Sequence, residues 1–251
     1  MNPELAKYLS VIGTATWQTL VMVLFSTLFS MIIGIPLGIL LCTSDPAAGL
    51  RPHKVLYQVL SVIINILRAI PFVILVILLF PFTRVIVHTA IGTKASIVPL
   101  TIAAAPFVAR VIESSLKEVD PGVIAAGRSM GSTDRQLIFK ILLPEALPSI
   151  VNGVTLTIIN LIGYSAMAGT VGGGGLGDVA IRFGYQRWML DYMYGPVAII
   201  LILVEIRRDS QFGRMSAHPR PRSPGALFHD VAQASRQFQC ARPGHNRRLD
   251  F

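Results

Sequence analysis

"AAGRSMGSTDRQLIFKILLP", residues 125–144, stands between two long apolar stretches and has a charged character that both lack. Its punctuation is helical. Asp120 followed by Pro121 has the chemistry of an N-cap and a first helical residue, because the Asp oxygen accepts orphan amide bonds and Pro lacks the donor that would be wasted. A helix is expected from Pro121 to about Met130. Gly131 fits the left-handed residue that closes it, and Thr133 with Gln136 has capping-box spacing for a second helix. That second helix is expected to end before Pro144. Leu137, Ile138, Ile141 and Leu142 would form its apolar face, with Arg135 and Lys140 elsewhere on its surface. The result is two short helices about a tight turn. Helix chemistry alone fits a loop resting on headgroups and a docking element equally well.

The flanking sequence fixes the setting. The chain of 251 residues is 53% hydrophobic and only 14% charged, which places it among integral membrane proteins. One crossing needs about 20 mostly apolar residues. No charge occurs between Lys7 and Asp45, so a first span is read from Thr19 to Cys42. Gly34, Pro36 and Gly38 in it read as packing residues, not a cleavage site. Between Lys54 and Arg84 only Arg68 is charged, which gives a second span. A third, small and proline-marked, runs to Ile112 and is expected to be buried. The fourth lies in the charge-free interval from Ala146 to Gly177, and its Gly, Ser, Ala and Thr content predicts a helix facing protein more than lipid. A fifth starts near Tyr192 but offers only about 15 residues before Arg207 and Arg208, short of a full crossing.

The expectation is therefore an all-α integral membrane protein of five transmembrane helices, with a two-helix cytoplasmic loop, about residues 117–146, between spans 3 and 4. Residues 1–206 form the transmembrane domain and residues 207–251 a basic tail. With the amino terminus outside, the inner loops hold Arg51, Lys54, Lys117, Arg128, Arg135 and Lys140. The outer segments hold Lys7, Arg84, Lys94, Arg182 and Arg187, a slight positive-inside bias. The net charge of +9 is dominated by the tail, with nine Arg and no Lys. Disorder is its plain reading. A polybasic segment for lipid or nucleic acid and the product of a shifted reading frame are the alternatives, the second because the tail begins abruptly inside an unfinished span.

Several residues ask for individual readings. Arg68, well inside the second apolar stretch, needs satisfaction. It sits either near the cytoplasmic interface, with Val55 to Leu67 partly interfacial, or in the interior on carbonyls freed by Pro71. Arg110 snorkels or pairs with Glu113. Met167 stands near the outer end of the fourth span among small residues, where its flexible thioether suits an adjustable outer gate, although simple packing is the blander reading. The run Gly172–Gly177 is no phosphate loop, since no Lys-Ser or Lys-Thr follows it, and it reads as a flexible outer loop permitting close backbone approach. Cys42 and Cys240 form no readable disulfide or metal framework, the histidines lie in loops or tail, and no mid-span carboxylate pair occurs. An intramembrane enzyme or a proton-coupled carrier lacks its parts.

From Ala125, "AAGRSMG", then nine residues, then "ILLP" resembles the coupling loop of permease subunits of bacterial ABC importers, whose signature is Glu-Ala-Ala, Gly, Ile-x-Leu-Pro. Ala125 stands where that family usually has Glu. Within the family, the methionine-importer permeases are similar over roughly residues 14–206. The similarity is carried by "NILRAIPFVILVILLFPFTRVIV", "IVPLTIAAAPFVARVIESSL" and "LLPEALPSIVNGVTLTIINLIGYSAMAGTVGGGGLG". The resemblance implies a homodimer in the bacterial inner membrane that imports D- or L-methionine. It implies two separate ATPase subunits, which hold ATP and Mg, and an extracytoplasmic methionine-binding lipoprotein. This chain would bind no cofactor, catalyse no reaction and meet no nucleic acid. The coupling loop would comprise Ala125, Ala126, Gly127, Arg128, Met130, Gly131, Lys140, Ile141, Leu143 and Pro144, with Arg128, Met130 and Lys140 touching the ATPase. Met167 and Arg68 are the gate or pathway candidates. A permease for another amino acid or small organic ligand is the alternative within transport, and a membrane-anchored module with a lipid- or nucleic-acid-binding tail is the alternative outside it.

Overall fold

The computed structural model describes residues 3–47 and 49–216, and the side chains of residues 6–47 and 49–205. Two compact units divide the chain, Met1–Asp209 and Ser210–Phe251. Of the second, only the end of the last helix is described, and the basic tail beyond Ser216 lies outside the described residues. All regular structure among the described residues is helical.

The chain opens with α1 (Pro3–Ser44), α2 (Lys54–Ala69), α3 (Phe72–Leu78), α4 (Phe80–Val87) and α5 (Thr93–Lys117). A polar segment follows, made of α6 (Pro121–Ser129), α7 (Asp134–Gln136), a π turn (Leu137–Leu142) and α8 (Leu143–Glu145). Then come α9 (Leu147–Ala168), α10 (Gly175–Val179), a second π turn (Ala180–Tyr185) and α11 (Asp191–Ser216). Three stretches are long and apolar enough to cross a membrane: Ala6–Ser44, Thr93–Lys117 and Leu147–Val171. The pair α2 and α3 makes a fourth if it counts as one crossing. The fifth expected span falls in α11, whose apolar run is followed at once by Arg207, Arg208 and Asp209.

The second apolar stretch is not one straight helix. Its helices are bent by 103°. Ile70 is extended, φ −75° and ψ 125°, as steric conflict with a following proline demands, and Pro71 supplies no amide to continue the ladder. Hydropathy sums over residues and is blind to this break. Its consequence is an apolar, amphipathic α2 with only Ile64 buried.

The central helix is α5. In its most apolar window 61% of residues are buried, against 33% for α1 and 33% for α9. Small residues explain how its neighbours approach. A Cβ on Gly34 would lie 2.6 Å from Val108 Cβ, and one on Gly38 would lie 2.6 Å from Ile112 Cβ and 2.7 Å from the Ala109 carbonyl oxygen. The Gly-x-x-x-Gly face of α1 thus lies backbone-close on α5. Gly153 gives α9 the same access to Val111 on another side of α5. Along α9 the buried positions Ile150, Gly153, Thr157, Leu161, Ser165 and Ala168 recur every three or four residues. Ile162 is buried beside that stripe and most other α9 positions are half-buried, so the tightest packing follows one side of the helix and not the whole circumference.

At the opposite end from the polar segment the glycine run is tied down. Gly174 and Gly175 adopt φ values of 78° and 81°, which only glycine takes without strain. The Gly175 amide donates to Gln18 Oε1 at 2.9 Å and the Leu176 amide to Thr19 Oγ1 at 2.9 Å. Close backbone approach is as expected there, but the loop is held to α1 by hydrogen bonds. The start of α1 joins the same corner, where Ile12 and Ala15 pack on Leu176 and Val179.

Gly38→Val is expected to lower the stability of the solubilised protein by about 1–3 kcal/mol through overpacking against Ala109 and Ile112. Gly163→Val, where a Cβ meets nothing within 4 Å, is the control expected to leave the thermal midpoint nearly unchanged. Thermal unfolding in one detergent checks both.

Candidate functional site: the projecting segment and its anchorage

The segment begins as its sequence dictates. The Gly122 amide donates to Asp120 Oδ1 at 2.7 Å, and α6 runs to a C-cap at Met130. Gly131 follows with φ 78°. The capping box closes in both directions, with the Thr133 amide donating to Gln136 Oε1 at 2.9 Å and the Gln136 amide to Thr133 Oγ1 at 3.5 Å. The second helix, however, does not stop before Pro144. It widens into the π turn, where the Leu143 amide donates to the Ile138 carbonyl, and Pro144 then falls in the first turn of α8. A missing amide is harmless at that position, so the chain stays helical into α9.

Burial divides the expected loop residues into two groups. Gly127 is buried where α6 crosses the π turn, and a Cβ on it would lie 2.6 Å from Ile141 Cδ1. Ile141 and Leu143 face inward onto a core of Leu116, Val119, Leu137, Leu142, Ala146 and Ile150. Ala125, Ala126, Arg128, Met130, Gly131, Lys140 and Pro144 are exposed. Met130 is 76% exposed, and beside this group Phe139 is 61% exposed. Phe139 escaped the sequence reading, yet it sits off the Leu137, Ile138, Ile141, Leu142 face, next to Lys140. An aromatic on the polar side of an amphipathic turn was the available signal.

A charge cluster backs the segment. Glu113, 4% exposed, accepts from Arg110 Nη1 at 2.7 Å, Lys117 Nζ at 2.8 Å and the Tyr57 hydroxyl at 3.1 Å. Lys117 also reaches Asp45 Oδ2 at 2.6 Å, and Arg110 Nη2 donates to Asn65 Oδ1 at 3.2 Å. The end of α1, α2 and α5 are joined by these contacts. Arg51, on the α1–α2 connection, pairs with Asp134 at 2.7 Å and so reaches the segment itself. The Arg110–Glu113 pair was foreseen, but Asp45, Tyr57 and Asn65 were not. Charges at 110, 113 and 117 share one helix face, which marked α5 as carrying a polar stripe, though nothing local says which distant groups complete it. The hydrogen bond from Lys117 holds the Asp45 carboxyl below its ordinary value of 3.8.

The remaining candidates lie apart from the segment. Arg68 is exposed in the last turn of α2, its guanidinium 6.0 Å from the centre of the Phe107 ring. It lines a cavity of about 220 Å³ with Phe72, Ala103, Phe107, Asn160 and Tyr164. Met167, 47% exposed, is at the end of α9 away from the segment. Among the described residues no group of three or more His, Cys, Asp and Glu side chains is placed to hold a metal ion.

Long apolar helices gathered on a central crossing, with a helical polar segment carried between two of them, make this a membrane permease fold. The chain belongs to the family of binding-protein-dependent transport system inner membrane components, whose model matches residues 34–206. It is 52% identical over 193 residues to a probable D-methionine transport system permease protein of Vibrio cholerae, covering 77% of this chain and 85% of that one. The D-methionine transport system permease protein of Escherichia coli K12 is 52% identical over 153 residues, or 61% of this chain and 70% of that one. Among solved structures, an inward-facing conformation of a methionine ABC transporter, MetNI, superposes with a TM-score of 0.82. It shares 42% identity, covering 88% of this chain and 100% of that one. A chain of an amino acid ABC transporter, 19% identical with a TM-score of 0.66, shares the fold.

Replacing Glu113 with Ala removes one of the two partners of each of Arg110 and Lys117, leaving Asn65 and Asp45, and is expected to cost about 1–3 kcal/mol, read by thermal unfolding. The Asp45 carboxyl is depressed, so its contribution is present above its unfolded pKa and is lost as pH falls through its folded value. The stability difference between the unsubstituted protein and Asp45→Asn should therefore be full at neutral pH and close only below about pH 4.

Proposed function

We propose that this chain is the membrane-spanning subunit of an ATP-driven methionine importer in the bacterial inner membrane. It works as a homodimer with two separate ATPase subunits and an extracytoplasmic methionine-binding lipoprotein. The observation that carries the reading is the projecting segment, polar outward and apolar inward, with Met130 and Phe139 exposed among Arg128, Arg135 and Lys140. Exposed apolar side chains amid that much charge fit a protein partner better than hydrocarbon. The methionine substrate is supported by relatives that carry that name.

In this reading the crossings are α1, the bent α2–α3 pair, α5, α9 and α11, which puts the segment in the cytoplasm. The permease domain is residues 1–206, with residues 207–251 as a basic tail. Ala125, Ala126, Met130, Phe139 and Lys140 form the docking face, flanked by Arg128. Gly127, Ile141 and Leu143 carry force instead of making contact, because they join that face to the core shared with α5 and α9. Gly131 sets the angle between the two arms. When the ATPase subunits close on ATP and Mg, which they and not this chain bind, a rigid segment passes the displacement to the crossings on either side of it. Ala125 replaces a carboxylate by a methyl, so docking here rests on the apolar residues and cations. Met167 serves as the outer gate, and Arg68 as a positioning residue beside the pathway.

Co-expression with a candidate ATPase, purification and uptake of labelled methionine into liposomes tests the assignment. The expected result is a stable complex with ATP-dependent uptake, and a complex that hydrolyses ATP but moves no methionine would overturn the substrate. Met130→Asp combined with Phe139→Asp is expected to abolish co-purification of the ATPase while the permease still inserts. Met167→Ala is expected to keep the complex but let ATP hydrolysis run with reduced transport; unchanged coupling would remove Met167 from the gate.

A further inference from the structure

Beneath the projecting segment, between α6 with the π turn and the ends of α1 and α5, lies a cavity of about 490 Å³. Its walls are mostly apolar, with Ile39, Leu50, Leu116, Ile124, Ile138 and Leu142 among them. The polar groups that line it are nearly all spoken for. Thr43 donates to the Ile39 carbonyl of its own helix at 2.9 Å, and Lys117 is held by Glu113 and Asp45. Arg128 is the exception, a guanidinium at the lining with no ion pair or side-chain hydrogen bond among the described residues. Water gains little in such a space, because it needs two to four polar partners. Left empty, the walls forfeit their packing contacts. The volume is that of a site for a small molecule or an acyl chain.

The position selects the occupant. The cavity lies where the apolar run of α1 ends at Ser44 and Asp45, the edge of the hydrocarbon layer. Arg51 stands on the adjoining connection to α2, and Lys54 opens that helix. We propose that the cavity binds an anionic phospholipid of the cytoplasmic leaflet, one acyl chain in the apolar slot and the phosphate at Arg128. The inference rests on the membrane placement given under the proposed function. It assigns the space under the lever to lipid, so that the anionic lipid content of the bilayer tunes how stiffly the docking face is carried.

The test uses the full chain assembled with its ATPase in nanodiscs that contain phosphatidylglycerol or phosphatidylcholine with a photoreactive acyl chain. Labelled peptides are identified by mass spectrometry. One cation near the membrane surface favours an anionic lipid by about five-fold, so the phosphatidylglycerol probe should label residues 116–128 and 138–142 by about that factor over phosphatidylcholine. Arg128→Gln should erase the preference, and Ile124→Trp should abolish labelling at the cavity while the outward face of α1 at Leu24, Leu28 and Ile32 stays labelled. Equal labelling by the two lipids, indifference to both substitutions, or displacement by trace free palmitate would overturn the site. Loss of labelling on the outward face of α1 as well would instead overturn the membrane placement, and the site with it.

Discussion

A lever moves a membrane helix only if nothing yields between the point that is pushed and the helix that must move. Here that condition is met by one buried contact, the insertion of Leu137 and Leu142 from the π turn among Leu116, Val119, Ala146 and Ile150. Both leucines are nearly inaccessible, at 0% and 4% exposure. Close-packed contacts transmit strain and do not absorb it, so in the proposed reading this contact, beside the cavity that Leu116 and Leu142 also line, carries a displacement of the segment to α5 and α9. Gly127 makes the contact possible by letting α6 lie against Ile141. The π turn makes it continuous by carrying the chain past Pro144 without a break.

From α5 the same logic reaches the rest of the bundle by two different means. Towards the membrane interior the link is steric, through Gly34 and Gly38 on one side and Gly153 on another. At the end beneath the segment it is ionic, with Glu113 saturated by three donors and Lys117 shared with Asp45. Buried ion pairs are weak sources of net stability but strict geometric constraints, since removing one member leaves its partner uncompensated. Their placement suits a region where register between helices matters more than total stability. The bent α2–α3 pair is held differently at its two ends, α2 by Tyr57 and Asn65 in the ionic cluster with Ile64 its one buried residue, and α3 by the buried Phe72, Leu75 and Val76.

The sequence makes the local chemistry of the segment legible because caps are local: Asp120, Gly131, Thr133 and Gln136 act on backbone within three residues of themselves, and each does what its type predicts. The long apolar intervals are equally plain. Four features needed three dimensions. The 103° bend at Pro71 is invisible to hydropathy, although the proline itself is in view. The passage through Pro144 depends on a π turn whose wider ring has no sequence signature as simple as a cap. The division of the signature into exposed and packed residues depends on which side of α6 meets the π turn, so Gly127, Ile141 and Leu143 read alike with Ala126 and Lys140 until burial separates them. Completion of the Glu113 cluster by Asp45, Tyr57 and Asn65 likewise joins residues 45 to 72 positions apart, beyond any periodic pattern in one helix.

The central claim is that the segment and α5 move as one body when nucleotide is bound by the partner. The direct measurement is a pulsed electron-resonance distance between spin labels at Arg135 on the segment and Lys94 at the far end of α5, both exposed, in a Cys42→Ala, Cys240→Ala background. The account predicts that this distance keeps its value between nucleotide-free and nucleotide-trapped complexes, while the distance between the Arg135 labels of the two copies changes. A nucleotide-dependent shift within one chain, with the distance between copies fixed, would contradict it.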